Sequence, residues 1–321
     1  PFCDNVTGTG TALSNYAYNS ISKAIDIVSD PEVVECNLMA IPGVATPGLT
    51  GKLISTCELR ADALAIIDLA GDYTPRGWAA EPDDGEAGRL PKVDLTVSNL
   101  KSRGLNSSYG CAFFPWVQVN DQINNRNLWV PPSVVALGTM ASSAASSELW
   151  FAPAGFTRGG LSNGAGGIPV VQTRLRLTSK DRDKLYEANI NPIAQFPAEG
   201  IVIFGQKTLQ VTPSALDRIN VRRLMVHVKK EVSRMAATTL FDQNLRSTWN
   251  RFLSQAEPFL ASVKSRFGLS DYKIVLDETT TTPELVDRNI VYAKIFLKPA
   301  RAIEFIAIDF VITNTGASFE D

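Results

Sequence analysis

The chain has 321 residues, 45% apolar and 20% charged, which suits a folded protein of about two domains and excludes a disordered chain or a disulfide miniprotein. No stretch approaches the ~18 consecutive apolar residues of a membrane span. A net charge of −2 gives no general attraction to nucleic acid, but the charge is uneven: residues 1–94 hold 14 acidic and 6 basic side chains, the remainder 19 and 25. That asymmetry fits copies packed head to tail, and equally two solvated surfaces of different sign.

With Pro1 first and no basic-then-apolar leader, the sequence reads as a fragment or a processed chain. Residues 11–28 predict a helix, because Leu13, Tyr16, Ala17, Ile21, Ala24, Ile25 and Val28 recur at helical spacing. "VVECNLMAIPG" and "ALAIIDLAG" are short apolar runs ending at glycine, with the helix-like "TPGLTGKLISTCELRA" between them. Strand, helix, strand predicts a βαβ unit and a parallel sheet. Residues 72–92 are rich in Pro, Gly and acid and read as a surface loop or a trimmed insertion.

"VDLTVSNLKSRG" then predicts a helix and "YGCAFFPWVQV" a strand. In "VPPSVVALGTMASSAASS" the small residues allow a helix to pack closely on a sheet. The Gly-rich "FTRGGLSNGAGGIP" marks the expected domain boundary, giving units of 1–168 and 169–313 with a tail at 314–321. Ser179 is expected to cap a short helix through "KDRDKLYEANI", and "GIVIFGQKTL" reads as a buried strand.

The strongest predicted helix spans 214–235, with Val221, Leu224, Met225, Val228, Val232 and Met235 on one face. A second spans 244–267, with Pro258 kinking it or opening a new helix and Gly268 at the C′ position. "YKIVLD" reads as a strand. "NIVYAKIFL" and "AIEFIAIDFVIT", joined by Lys298-Pro299-Ala300-Arg301, predict a terminal antiparallel hairpin. There is no internal repeat.

Chemistry is sparse. Cys3, Cys36, Cys57 and Cys111 have no C-x-x-C spacing, and His227 is the single histidine, so four reduced thiols are expected in place of a zinc site. "GTGTALSN" lacks the G-K-[ST] of a phosphate loop and reads as a turn before a helix, and "GGLSNGAGG" reads as a surface loop. "GTMAS" at 138–142 is similar to the serine-bearing segment of subtilisin-type proteases, but the serine between Thr139 and Met140 is missing. His227, expected to be satisfied by Glu231, is the only base available to a triad. Asp83–Asp84 and Asp277–Glu278 read as solvated charges, since glycosidase carboxylates must face each other across a cleft. No catalytic, cofactor or metal site is expected.

One feature stands above this background. Arg218, Arg222, Arg223, Lys229, Lys230 and Arg234, against Asp217 and Glu231, are expected to ring the polar face of the 214–235 helix. No aromatic residues interleave, so an acidic protein surface suits this face better than nucleic acid, with an ordinary solvated face as the other reading.

Seven segments in order carry a resemblance: "SSYGCAFFPWVQV", "VPPSVVALG", "LWFAPAGFTRGGL", "INPIAQFPAEGIVIFGQKTL", "DRINVRRLMVHVKKEVSR", "DETTTTPELVDRNIVYAKIFLKPAR" and "IEFIAIDFVITNTGASF". Together they resemble contractile tail sheath proteins of T-even-like myoviruses. The resemblance implies a mixed α/β core likened to subtilisin but without a triad, then a C-terminal α/β domain nearest the tail tube. It implies a homo-oligomer of six-fold rings stacked helically, chain termini that add strands to neighbouring subunits, and contraction that drives the tube through a host envelope. Tail tube, baseplate and terminator or neck proteins are the implied partners. A virion location, with no cofactor and no membrane insertion, is implied too. The family's N-terminal arm has no counterpart in this numbering.

The subunit interface is accordingly expected at Arg222, Arg223, Lys229, Lys230 and Arg234, and at the tail residues Thr313, Asn314, Thr315, Gly316, Ala317, Ser318 and Phe319. The tail has turn residues and no periodicity, so it is expected to pair with an exposed strand edge. The sheath of a bacterial contractile injection system is the alternative in the same class, and a subtilisin-like hydrolase the alternative in another.

Overall fold

The computed structural model describes residues 16–69, 93–121 and 123–304. The elements in order are α1 (Tyr16–Ile27), β1 (Leu38–Ala40), α2 (Pro47–Arg60), β2 (Leu64–Ile67), α3 (Val93–Ser102), β3 (Gly110–Phe114), β4 (Val117–Asp121), β5 (Arg126–Val130), α4 (Pro132–Ser146), α5 (Gly155–Arg158) and β6 (Val170–Thr173). There follow α6 (Ser179–Glu187), β7 (Asn191–Phe196), β8 (Gly200–Ile203), α7 (Ile219–Ala237), α8 (Arg246–Ser265), β9 (Leu269–Val275), α9 (Pro283–Asp287) and β10 (Lys294–Pro299).

The fold is mixed α/β. A five-stranded sheet has the order β1-β2-β3-β7-β8. The expected βαβ unit is present: β1 pairs parallel with β2, and β2 with β3. β7 joins β3 in parallel and turns back antiparallel into β8. β2 is buried on both faces, which is why "LAII" is a continuous apolar run with no alternation. Ala65 and Ile67 face a cluster with Leu53 and Ile54 of α2 and Leu100 of α3, while Leu64 and Ile66 face Val135 and Met140 of α4.

A three-stranded antiparallel sheet, β5-β4-β6, packs on the α4 side. The expected single strand over 109–119 is therefore two strands in different sheets, separated at Pro115, whose nitrogen has no hydrogen to donate. β6 and β7 lie after residue 168 yet pair with β4 and β3 from before it, so both sheets run across that position.

A third layer comes from α7, α8 and the antiparallel pair β9–β10 around Trp150, Leu224, Val228, Leu260, Val263 and Leu269. α7 begins at Ile219; residues 215–217 are a separate 3₁₀ turn. α8 is one helix through Pro258. Its end is a Schellman motif in which Phe267, not Gly268, takes the left-handed C′ position at φ 62°. The Gly268 N–H donates to the Val263 carbonyl at 2.9 Å and that of Phe267 to Lys264 at 3.1 Å. Gly268 is needed for space, since a Cβ there would lie 2.7 Å from Val263 Cγ1.

The N-cap of α6 is Thr178, one residue before the expected Ser179, in a reciprocal capping box with Asp181. β10 pairs antiparallel with β9. The second arm of the expected hairpin lies beyond Glu304, outside the described residues apart from its first three positions, which are not strand.

Candidate subunit interface

The N-terminal two turns of α7 are enclosed on all sides, because Ile219 belongs to the core under the five-stranded sheet while Leu224 and Val228 belong to the third layer. Arg222 and Arg223 are consequently buried and do not ring a polar face. The Arg222 guanidinium lies 4.0 Å above the Tyr109 ring and donates to Ser108 Oγ. Arg223 donates from Nη2 to the Met140 carbonyl at 3.3 Å, and its buried Nη1 has no acceptor. Burial pushes the Arg223 guanidinium down to about 10. A single apolar stripe does not reveal that a helix passes between two cores, which is why the sequence misplaces these two residues.

Further along α7 the cations reach the surface. Lys230 Nζ is 2.8 Å from Glu35 Oε1, and Arg234 pairs with Glu35 and, at 3.1 Å, with Glu231. The hydrogen bond and charge of Lys230, with the charge of Arg234, hold the Glu35 carboxyl below its ordinary range. Within the chain, Lys230 and Arg234 thus already have an acidic partner in Glu35. Lys229 is exposed, and Arg218 instead ion-pairs with Glu304 at 2.6 Å and Asp217 at 3.1 Å. Thr313, Asn314, Thr315, Gly316, Ala317, Ser318 and Phe319 lie outside the described residues.

The segments weighed for chemistry take structural places. "GTMAS" lies within α4, with Thr139 and Met140 buried and the Thr139 hydroxyl donating to the Val135 carbonyl at 2.7 Å. Gly138 lets the helix press on the Gly-rich loop: a Cβ there would sit well inside contact distance of the Gly166 carbonyl oxygen. His227 is set between Trp150 and Phe259, ring centroids 5.8 and 5.9 Å away, and burial lowers its affinity for a proton against the opposing charge of Glu231. Aromatic packing, not a bond to Glu231, fixes it.

Asp277 accepts from the Thr279 N–H at 2.8 Å in an exposed turn. Cys36, Cys57 and Cys111 are free thiols, and burial pushes Cys57 up to about 12; Cys3 lies outside the described residues. No group of three or more metal-ligating side chains occurs among the described residues, and no helix there is long and apolar enough to cross a membrane.

Asp68 was not singled out in the sequence. It follows β2 and is buried, accepting from the Gly43 N–H at 2.8 Å, the Ser133 N–H at 3.1 Å and the Ser133 hydroxyl at 2.7 Å. It therefore anchors the N-terminus of α4 to the sheet. Burial raises its carboxyl above the ordinary range, against the pull of these three bonds. The acid closing the apolar run "LAIID" was the available signal.

Residues 211–313 match the family of the phage tail sheath C-terminal domain. The tail sheath protein of Vibrio phage KVP40 is 31% identical across 92% of this chain and 45% of its own length. The chain is a homologue of contractile phage tail sheath proteins. That of Enterobacteria phage T4 is 35% identical over 63% of the chain and 30% of its own length. This sheath homologue spans less than half the length of the curated relatives it matches. Its fold is that of the PVC sheath complex of an extracellular contractile injection system in the contracted state, with TM-score 0.71 and 20% identity over 92% of this chain and 75% of that one. The helical sheath of the anti-feeding prophage in the contracted state gives 0.66 and 19% over 94% and 76%.

Proposed function

We propose that the chain is a structural subunit of a contractile phage tail sheath in the virion, polymerising as stacked six-fold rings around a tail tube and contracting to drive that tube through the host envelope. The observation that carries this is the 31% identity to a tail sheath protein along 92% of the chain. The sheath of a bacterial contractile injection system is the second reading, favoured by the fold shared with the PVC and anti-feeding prophage chains. The phage reading ranks first because the sequence similarity lies with the phage proteins.

In this reading the subunit is not an enzyme. The supporting observations are the helical burial of "GTMAS" and the aromatic setting of His227. A core related to that of subtilisin is part of the proposal, supported by the parallel β1–β2–β3–β7 run covered on both faces. We take α7, α8 and β9–β10 as the body of the tube-facing unit and residues 314–321 as the link to a neighbour. Exposed Lys229 is the one member of the expected basic cluster retained as a surface contact. Baseplate, tail terminator or neck proteins would cap the polymer.

Negative-stain imaging of the purified chain tests the proposal: rings or tubes are expected, and no serine reacting with a fluorophosphonate. A fluorophosphonate adduct that disappears with Ser142→Ala or Ser143→Ala, from a chain that forms no tubes, would replace it with a hydrolase.

A further inference from the structure

A cavity of about 190 Å³ lies where α7 meets the segment leading into β1 and the link that follows α4. Arg223, His227, Lys230 and Arg234 line it from α7, at spacings of four, three and four residues that put them along one side of the helix. Glu35, Asn37 and Leu64 close it from the N-terminal part of the chain, and Leu149 from the link. Pockets for drug-sized molecules run to roughly 300–1,000 Å³, so this one has room for an inorganic ion with a little water and not for a nucleotide.

The charge around it does not balance. Lys230 and Arg234 pair with Glu35, and Arg234 also pairs with Glu231. Those two carboxylates answer two of the three lining cations, and Arg223 is the cation left over. Arg223 is only 5% exposed. Its Nη2–H donates to the Met140 carbonyl at 3.3 Å, and its Nη1 has no acceptor among the described residues. A buried guanidinium without a counter-charge is costly, and an anion beside it offsets that cost.

The remaining donors on the wall are neutral. His227 is half-buried between Trp150 and Phe259, and burial lowers its affinity for a second proton, so at neutral pH one ring nitrogen keeps an N–H. Asn37 brings an exposed side-chain amide. A metal cation would meet repulsion from Arg223 and would find Glu35 and Glu231 already taken by Lys230 and Arg234. An oxyanion meets every demand: its several oxygens accept from a guanidinium, an imidazole N–H, an ammonium and an amide together.

We propose that this cavity is an oxyanion site that takes one inorganic phosphate or sulfate ion between Arg223, His227 and Lys230. The ion ties α7 to the segment before β1 and so fastens the third layer to the five-stranded sheet. The site belongs to the single folded chain and does not depend on the sheath reading.

Inorganic phosphate is the probe, with sodium chloride of the same ionic strength as the baseline. Phosphate also stabilises folded proteins by being excluded from their surface, so the decisive quantity is the difference between variants. About 20 mM phosphate should raise the melting temperature of the unaltered chain by about 3 °C more than that of Arg223→Met, the shift that a millimolar site gives. Arg222→Met should keep the full shift: that guanidinium is buried too, but it lies over Tyr109 and lines no part of this cavity. Equal shifts in the unaltered chain and Arg223→Met would overturn the proposal.

A second readout needs no variant. Calorimetric titration of the unaltered chain with inorganic phosphate should saturate at one ion per chain, and sulfate added beforehand should compete for the same site. Heats that never saturate, or that sulfate leaves unchanged, would rule the site out.

Discussion

Lys230 Nζ stands 2.8 Å from Glu35 Oε1, tying α7 to the segment that leads into β1 of the same chain. The acidic N-terminal part of the sequence and the basic remainder thus meet within one chain. Arg234 shares the same carboxylate. Glu35 and Arg234 are exposed and Lys230 is half-buried, so solvent screens the cluster and its contribution to stability is small.

The first prediction follows from that carboxylate. Its folded pKa is depressed, so any stabilisation it gives is present above the ordinary carboxylate range and is lost as pH falls through the folded value. Glu35→Gln should lower the melting temperature slightly at low salt, and high salt should erase the difference. A large loss that persists in high salt would show that Glu35 does more than pair with exposed cations.

Asp68 makes the opposite pH prediction. Its folded carboxyl is raised by burial, so the folded state holds its proton after the unfolded chain has released its own. Its contribution is complete below the ordinary carboxylate range and declines as pH rises through the window up to the raised value. Asp68→Asn should flatten that decline. Asp68→Ala should cost about 3 kcal/mol, because donors around the N-terminus of α4 lose their acceptor. Denaturant melts from pH 4 to 8 measure both effects.

Arg223 separates a buried arginine from an interface arginine. Replacing a buried cation that has a single carbonyl acceptor by an apolar side chain of similar length removes a desolvation cost. Arg223→Met should leave the melting temperature unchanged or raise it, with assembly intact. Loss of assembly from a stable monomer would return Arg223 to the subunit interface.

Gly138 holds α4 against the Gly-rich loop. Gly138→Ala should destabilise by about 3 kcal/mol, since backbone must move on one side of the contact. An unfolding curve that matches the unaltered chain would mean that the loop yields freely.

Much of this fold was legible because its signals are local. The βαβ unit shows in two apolar runs ending at glycine with a helix between, and 31% identity to a sheath protein agrees with the ordered segments that carried the family resemblance. What escaped depends on neighbours distant in sequence. β5 and β6 are short, with two of four β6 residues exposed, and only their pairing with β4 makes them strands. Arg222 and Arg223 look like surface cations until Tyr109, Ser108 and Met140 close over them. The hydrogen bond from Gln206 to Glu304 joins positions 98 residues apart and carries no sequence pattern.

The C-terminal tail gives the last substitution-scale prediction. Deleting residues 314–321 should leave a monomer with a near-normal melting temperature that no longer polymerises, because the link is lost while the described core is complete. A lowered melting temperature with proportionally weaker assembly would instead make the tail a cap on its own sheet.

Cryo-electron microscopy of the polymer formed by the unaltered chain tests the sheath assignment most directly. The account predicts hollow tubes whose end views average to six-fold rings stacked helically. Particles that remain monomeric at every concentration, or close into a non-helical oligomer, would contradict it.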